Sequence, residues 1–192
     1  MAQRAQGHLR ADAQINQDRV LAAATRAFAR NGADTSLREI AKDAGVGIGT
    51  LYRRFPTRED LVWAVYRSEV DRICATVTDL REQHPPVAAL RAWMRSFLGF
   101  LATKRAMADA LKAALAHDED QRLETRDRLS DALATLLAAG VAEGTIRDDI
   151  AAFDVLTALG GISLIVGEPD QQEQATRLVD LLIDALRPTP DR

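Results

Sequence analysis

The side chains best suited to nucleophilic or metal chemistry are three histidines and one cysteine, and the sequence keeps them apart. His8 lies in a polar N-terminal stretch, and His84 stands beside Pro85-Pro86 and reads as loop punctuation. His117 precedes Asp118-Glu119-Asp120, acids expected at a helix N-terminus from the helix dipole alone. There is no His pair at ligand spacing, no Gly-x-Gly-x-x-Gly after a strand, no Walker loop and no Ser elbow. Catalysis, a metal and a cofactor are therefore not expected. Cys74 allows no intrachain disulfide, fits a reducing compartment, and reads as a small helix residue. What remains is recognition chemistry: the chain gathers the donors Arg38, Thr50, Tyr52, Arg53 and Arg54 between Ser36 and Phe55, with Arg58 just beyond.

The stretch that must position these donors reads as two short helices joined by a tight turn, a helix-turn-helix. Ser36 can cap the first helix while Glu39 reaches back to the cap N–H, and Leu37, Ile40, Ala41 and Ala44 recur at helical spacing. Gly45 suits the left-handed backbone past a helix end, and Val46 is the apolar plug of the corner. In the second helix, about Ile48 to Arg54, Leu51 shares a face with Phe55, and the remaining residues are left to flank and solvent. Such a helix is shaped to enter a major groove.

Ser36-Leu-Arg-Glu-Ile-Ala41, Ala44-Gly-Val-Gly47 and Thr50-Leu-Tyr-Arg-Arg-Phe-Pro-Thr-Arg-Glu-Asp-Leu61 resemble the signature of the tetracycline-repressor (TetR) family of bacterial regulators. The resemblance covers residues 16 to 66 in detail and the rest in architecture. It implies an all-α fold: a three-helix helix-turn-helix domain followed by a helical domain that binds an effector and dimerises. It implies that Arg38, Ile48, Gly49 and Thr50 face bases, and that Tyr52, Arg53, Arg54 and Arg58 face the DNA backbone. Ser36 and Gly47 complete the DNA-contact set. The chemistry agrees, since Arg donates twice to guanine O6/N7, Ile meets a thymine methyl, and Tyr and Arg suit phosphate oxygens. The sequence departs from the family at Gly47, where Ser or Thr often caps the recognition helix. Gly47 can offer only its backbone N–H, so specificity is expected to lean on Arg38, Thr50 and operator shape.

Charge is divided along the chain. Residues 1–58 hold ten Arg/Lys against five Asp/Glu, whereas residues 59–192 hold fifteen against twenty-three, so the net −3 conceals a basic module fused to an acidic one. The local sign decides whether phosphate attraction is available. The expected division is a tail over 1–15, a helix-turn-helix domain over 16–56, and a helical effector-binding and dimerisation domain over 57–192. Residues 1–15, with Arg4, His8 and Arg10, carry no helical stripe and read as a frayed tail, with a basic arm on DNA as the alternative. Asn16 is the expected cap of a first helix whose apolar face is Val20, Leu21, Ala24, Ala27 and Phe28.

Thr57 is the expected cap of a long helix that ends at His84-Pro85-Pro86 and bridges the two halves. Helices are expected over Val87–Thr103, Lys104–Ala116, Gln121–Glu143 and Phe153–Val166, with a last one opened by Asp170 and stopped by Pro188. Trp93, Met94, Phe97, Phe100, Met107, Leu111 and Leu133 are the candidate lining of an apolar effector pocket, with plain core as the alternative. The last two helices are apolar on more than one face. A homodimer interface through Phe153, Leu156, Gly160, Ser163, Leu164, Leu178 and Leu182 would cover them. The most apolar window, Val155–Val166, is too short for a bilayer core of ~30 Å, and the N-terminus has no secretory h-region. The reading is a cytoplasmic, dimeric, effector-released repressor that is not an enzyme. Two alternatives stay open: a DNA-binding regulator of the same fold without ligand, whether repressor or activator, and a helical ligand-binding protein or enzyme with a vestigial motif.

Overall fold

The computed structural model describes residues 2–32, 35–115, 119–165 and 171–188. Among them the protein is all helical, in nine helices: α1 (Ala2–Asn31), α2 (Leu37–Asp43), α3 (Ile48–Arg54), α4 (Arg58–Gln83), α5 (Pro86–Ala106), α6 (Ala108–Leu115), α7 (Glu119–Ala142), α8 (Ala152–Ile165) and α9 (Gln172–Ala185). His117, Val166 and Asp170 lie outside the described residues. None of the described helices is long and apolar enough to cross a membrane.

Two helix boundaries differ most from expectation. The first helix begins at Ala2, not at Asn16, so residues 2–15 are helical where a tail was expected. Amphipathic periodicity is missing there, but Ala, Gln and Arg are strong helix formers, and the stretch extends a helix already nucleated on the core. The break expected after Thr103 falls at Met107, whose N–H turns back to the Lys104 carbonyl (3.2 Å) and whose own carbonyl starts α6 through Leu111 N (2.8 Å).

The chain forms two compact units. The first comprises Met1–Ser68 with Thr103–Asp118, the second Glu69–Ala102 with Glu119–Arg192. Both α4 and α5 pass from one unit to the other, and the dividing point in α4 lies beyond the Pro56 boundary suggested by the sequence. The reason is apolar: Leu61, Val62 and Val65 in the first turns of α4 are wholly buried and belong to the first unit's core. That core also takes Val20, Leu21, Ala24, Ala27 and Phe28 from α1, Ile40 and Ala41 from α2, Leu51 from α3, and Phe55. Each large side chain buried in this way contributes roughly 1.5–3 kcal/mol.

In the second unit α7 packs on α8 and α8 on α9. The buried residues include Leu129, Leu133, Leu136 and Leu137 of α7, Val155 and Leu159 of α8, and Val179 and Ile183 of α9. Arg91 of α5 reaches Asp180 of α9 at 2.8 Å.

After α7 the chain doubles back sharply. Gly144 takes φ +69°, and the N–H groups of Thr145 and Ile146 both donate to the Gly140 carbonyl (2.9 and 3.2 Å). This brings the buried Ile146 onto the Gly140 Cα, where a Cβ would stand 2.3 Å from Ile146 Cγ1 and 3.0 Å from its Cβ. Gly→Ala in a helix ordinarily gains up to about 1 kcal/mol. Gly140→Ala should instead lose roughly 1–3 kcal/mol by overpacking. Gly99→Ala, with nothing within 4 Å of the added Cβ, should show the ordinary gain. Urea unfolding midpoints of the two variants check the opposite signs.

Candidate nucleic-acid interface

Three local devices shape the segment that carries the donors. Ser36, in extended conformation (φ −72°, ψ 128°), caps α2 by accepting the Arg38 N–H at its Oγ (3.2 Å). At the other end Gly45 adopts φ +69°, its N–H donating to Lys42 O (3.1 Å) while Val46 N donates to Ala41 O (3.0 Å). These two bonds form a Schellman closure, and only glycine takes that φ without strain. Gly47 then caps α3 with extended backbone (φ −67°, ψ 142°) and no side-chain bond.

The short α3 turns Leu51 and the following Phe55 into the core. Gly49, Thr50, Tyr52, Arg53 and Arg54 are exposed, as are Ser36, Arg38 and Gly47, and Ile48 is half-buried. A Cβ on Gly49 would meet nothing within 4 Å, and one on Gly47 would make only an ordinary 3.9 Å contact with Thr50 Oγ1. Packing within the chain therefore does not demand either glycine.

Two of the arginines are engaged. The Arg54 guanidinium donates from Nη2 to Gln17 Oε1, fastening the end of α3 to α1. Arg58, expected on the DNA backbone, is half-buried, and its Nη2 donates to the Thr35 carbonyl. Arg26 of α1 also pairs with Asp43 of α2 at 2.9 Å. Gln17 and Thr35 were missed in the sequence: each serves a partner far away in the chain, and no local pattern marks such a role.

The expected pocket residues are all buried. Trp93, Met94, Phe97, Phe100 and Leu133 belong to the second unit, whereas Met107 and Leu111 belong to the first, so the set is not gathered in one unit. Trp93 and Phe97 stack at 5.2 Å with planes 8° apart, and Phe97 meets Phe100 at 5.6 Å. The indole Nε1 of Trp93 donates to the Ile73 carbonyl of α4 (3.3 Å), which also accepts Thr76 Oγ1 (2.7 Å).

The expected interface residues divide by depth. Phe153 and Leu164 of α8 are 50% and 78% exposed, Gly160, Ser163, Leu178 and Leu182 are half-buried, and Leu156 is buried. Leu181, the neighbour of the expected Leu182, is 64% exposed. The Arg126 guanidinium lies over the Phe153 ring at 5.5 Å. Gly160 and Gly161 would each admit a Cβ with nothing within 4 Å.

Among the described residues no group of His, Cys, Asp and Glu is placed to hold a metal ion. Burial pushes the Cys74 thiol up from its ordinary value, with Arg128 working in the opposite direction, so it stays protonated and a poor nucleophile.

Residues 20–65 match the profile of bacterial regulatory proteins of the tetR family, and residues 85–188 match the C-terminal domain of SbtR-like transcriptional regulators. In fold the chain is similar to the TetR transcriptional regulator SCO0520 from Streptomyces coelicolor. The two are 49% identical, with 90% of this chain and 98% of that chain covered and a TM-score of 0.83. A TetR transcription regulatory protein from Mycobacterium vanbaalenii is 33% identical, with coverage of 94% and 99% and a TM-score of 0.76. An HTH-type transcriptional regulator of Staphylococcus aureus (strain USA300) is 27% identical over 107 residues, 55% of this chain. That alignment spans 58% of the relative's length.

Proposed function

Since the chain belongs to the TetR family of transcriptional regulators, which are not enzymes, we propose that it is a repressor that binds a palindromic operator as a homodimer and leaves it when a small apolar effector binds. The observation that carries the reading is α3 itself. Leu51 and the following Phe55 are buried in the core, the polar residues face outward, and Gly47 and Gly49 leave the backbone bare where no neighbour in the chain requires it. A bare helix surface beside Arg38 and Thr50 suits close approach to base edges, and Tyr52 and Arg53 suit phosphates. Such a regulator works where the DNA is, in the cytoplasm.

Retention of sheared genomic DNA by the purified protein, followed by sequencing, tests this. The retained fragments should share a two-fold palindrome, and Arg38→Ala should relax its sequence. Retention without a shared sequence would contradict the reading.

Dimerisation through α8 and α9 is supported by Phe153, Leu164 and Leu181, large apolar side chains left in solvent by the single chain. Gly160-Gly161 adds to this: a glycine pair costs a helix about 2 kcal/mol relative to alanine, and close approach of a second helix is a reason to keep it. In the second unit, Trp93 supports effector control. Its side chain is bonded to the backbone of α4, and α4 belongs to both units. A ligand that disturbs the Trp93–Phe97 stack therefore acts on α4, and through it on the first unit.

A 100-fold loss of operator affinity needs about 2.7 kcal/mol of coupling, and operator must weaken the effector equally. Apolar compounds selected by their effect on Trp93 emission should bind about 100-fold more weakly when operator duplex is present. Equal affinity with and without duplex would remove effector release from the account.

A further inference from the structure

We infer that Arg58 is a positioning residue that holds the start of α2, and with it Arg38, through the corner between α1 and α2, and that it does not contact phosphate. The inference refines the proposed DNA-binding function and rests on that reading for its consequence, though not for its geometry. The corner is built around Thr35, which is buried. Thr35 Oγ1 lies 3.0 Å from both the Ala27 and Gly32 carbonyls, which share its one O–H, and its N–H turns back to Gly32 O at 3.4 Å. The residue is thus fixed to the last turn of α1.

Its carbonyl accepts from Arg58 Nη2. The next residue is Ser36, whose Oγ holds the Arg38 N–H and whose carbonyl accepts the Ile40 N–H (3.1 Å). Arg58 therefore acts one peptide unit before the cap that sets where α2 starts. Its own backbone is equally fixed. Thr57 Oγ1 accepts the Asp60 N–H, and Asp60 Oδ2 accepts the Thr57 N–H, both at 3.0 Å, a reciprocal cap that sets the first turn of α4.

Two further observations separate this role from a phosphate contact. Arg58 Nη1 is buried and has no hydrogen-bond partner, and Nη2 donates to Thr35, so one terminal nitrogen is enclosed and the other is held at the corner. The corner is also closed from another side, because the Ala106 carbonyl, at the junction of α5 and α6, stands 3.4 Å from where a Cβ on Gly32 would lie. Gly32 already needs its φ of +60°. A guanidinium is suited to this place because its planar fork can hold a carbonyl while its stem fills apolar space.

The test has a DNA-free arm and a DNA arm, applied to Arg58→Gln and to Arg58→Met, which fills similar space without leaving a buried amide. In the free full-length protein, hydrogen exchange at the Arg38 and Ile40 amides should quicken about tenfold, with the amides of Ala24 in α1 and Val65 in α4, in the same unit, unchanged as the control for its overall stability. On the duplex recovered from genomic selection, affinity should fall about tenfold with the salt slope unchanged, whereas Arg53→Gln should flatten the slope by about 0.9 per subunit. In an Arg38→Ala background the Arg58 penalty should shrink below about twofold, which a merely destabilising substitution would not do. Unchanged exchange in α2 overturns the inference, and so does a slope that flattens by one phosphate per subunit in Arg58→Gln. If the wild-type protein retains no DNA, the proposed function fails, and the exchange arm still decides whether Arg58 holds α2.

Discussion

Raising salt from 50 to 200 mM should weaken operator binding on the order of 10⁴-fold, measured by fluorescence anisotropy of the labelled duplex. The overall charge of −3 would suggest no such affinity, so the attraction must come from the basic N-terminal residues acting locally. If each subunit neutralises about four phosphates, a dimer releases the counterions of about eight, and the slope of log K against log salt lies near −7. Arg38, Arg53 and Tyr52 are exposed and available for this, whereas Arg58 is half-buried and bonded to Thr35. A response that is flat across this range would mean that the donors on α2 and α3 do not meet a polyanion.

Leu164→Glu and Leu181→Glu should each yield monomers by light scattering and lower operator affinity on the order of 10²–10⁴-fold. The loss is that range because a second half-site bound by a linked subunit is worth an effective concentration, not a second independent affinity. Both leucines are exposed in the single chain, so the substitutions cost the monomer little. Their penalty arises only where a partner would bury an unpaired charge. A glutamate variant that remains dimeric would move the interface off α8 and α9. One that becomes monomeric and keeps full affinity would dismiss the two-fold operator.

The legible parts of this chain are those set by neighbours in sequence. Ser36, Gly45, Thr57 and Pro86 mark helix ends by their own chemistry, and the structure uses each of them at such an end. Leu51 and Phe55 are apolar at i, i+4 and both point inward. The N-terminal extension of α1 was not legible because nothing amphipathic marks it, and propensity alone extends the helix to Ala2. The bond made by Arg58 was not legible for a different reason: its partner is a backbone carbonyl at Thr35, and a carbonyl is the same in every residue type.

On α9, Leu181 and Leu182 are equally apolar neighbours, and only the phase of the helix against Val179 and Ile183 decides which one faces solvent. The pocket set mixes residues of both units because a run of Leu, Met and Phe looks the same whether it lines a cavity or fills a core.

Hydroxyl-radical footprinting of the selected duplex tests the central claim, that two copies of this chain present two α2–α3 pairs to one face of DNA. Two symmetric protected segments should appear with centres about 34–36 Å or a multiple apart, both lost together in Leu181→Glu and both weakened in Arg38→Ala. A single asymmetric segment, or a footprint unchanged by Leu181→Glu, would contradict it.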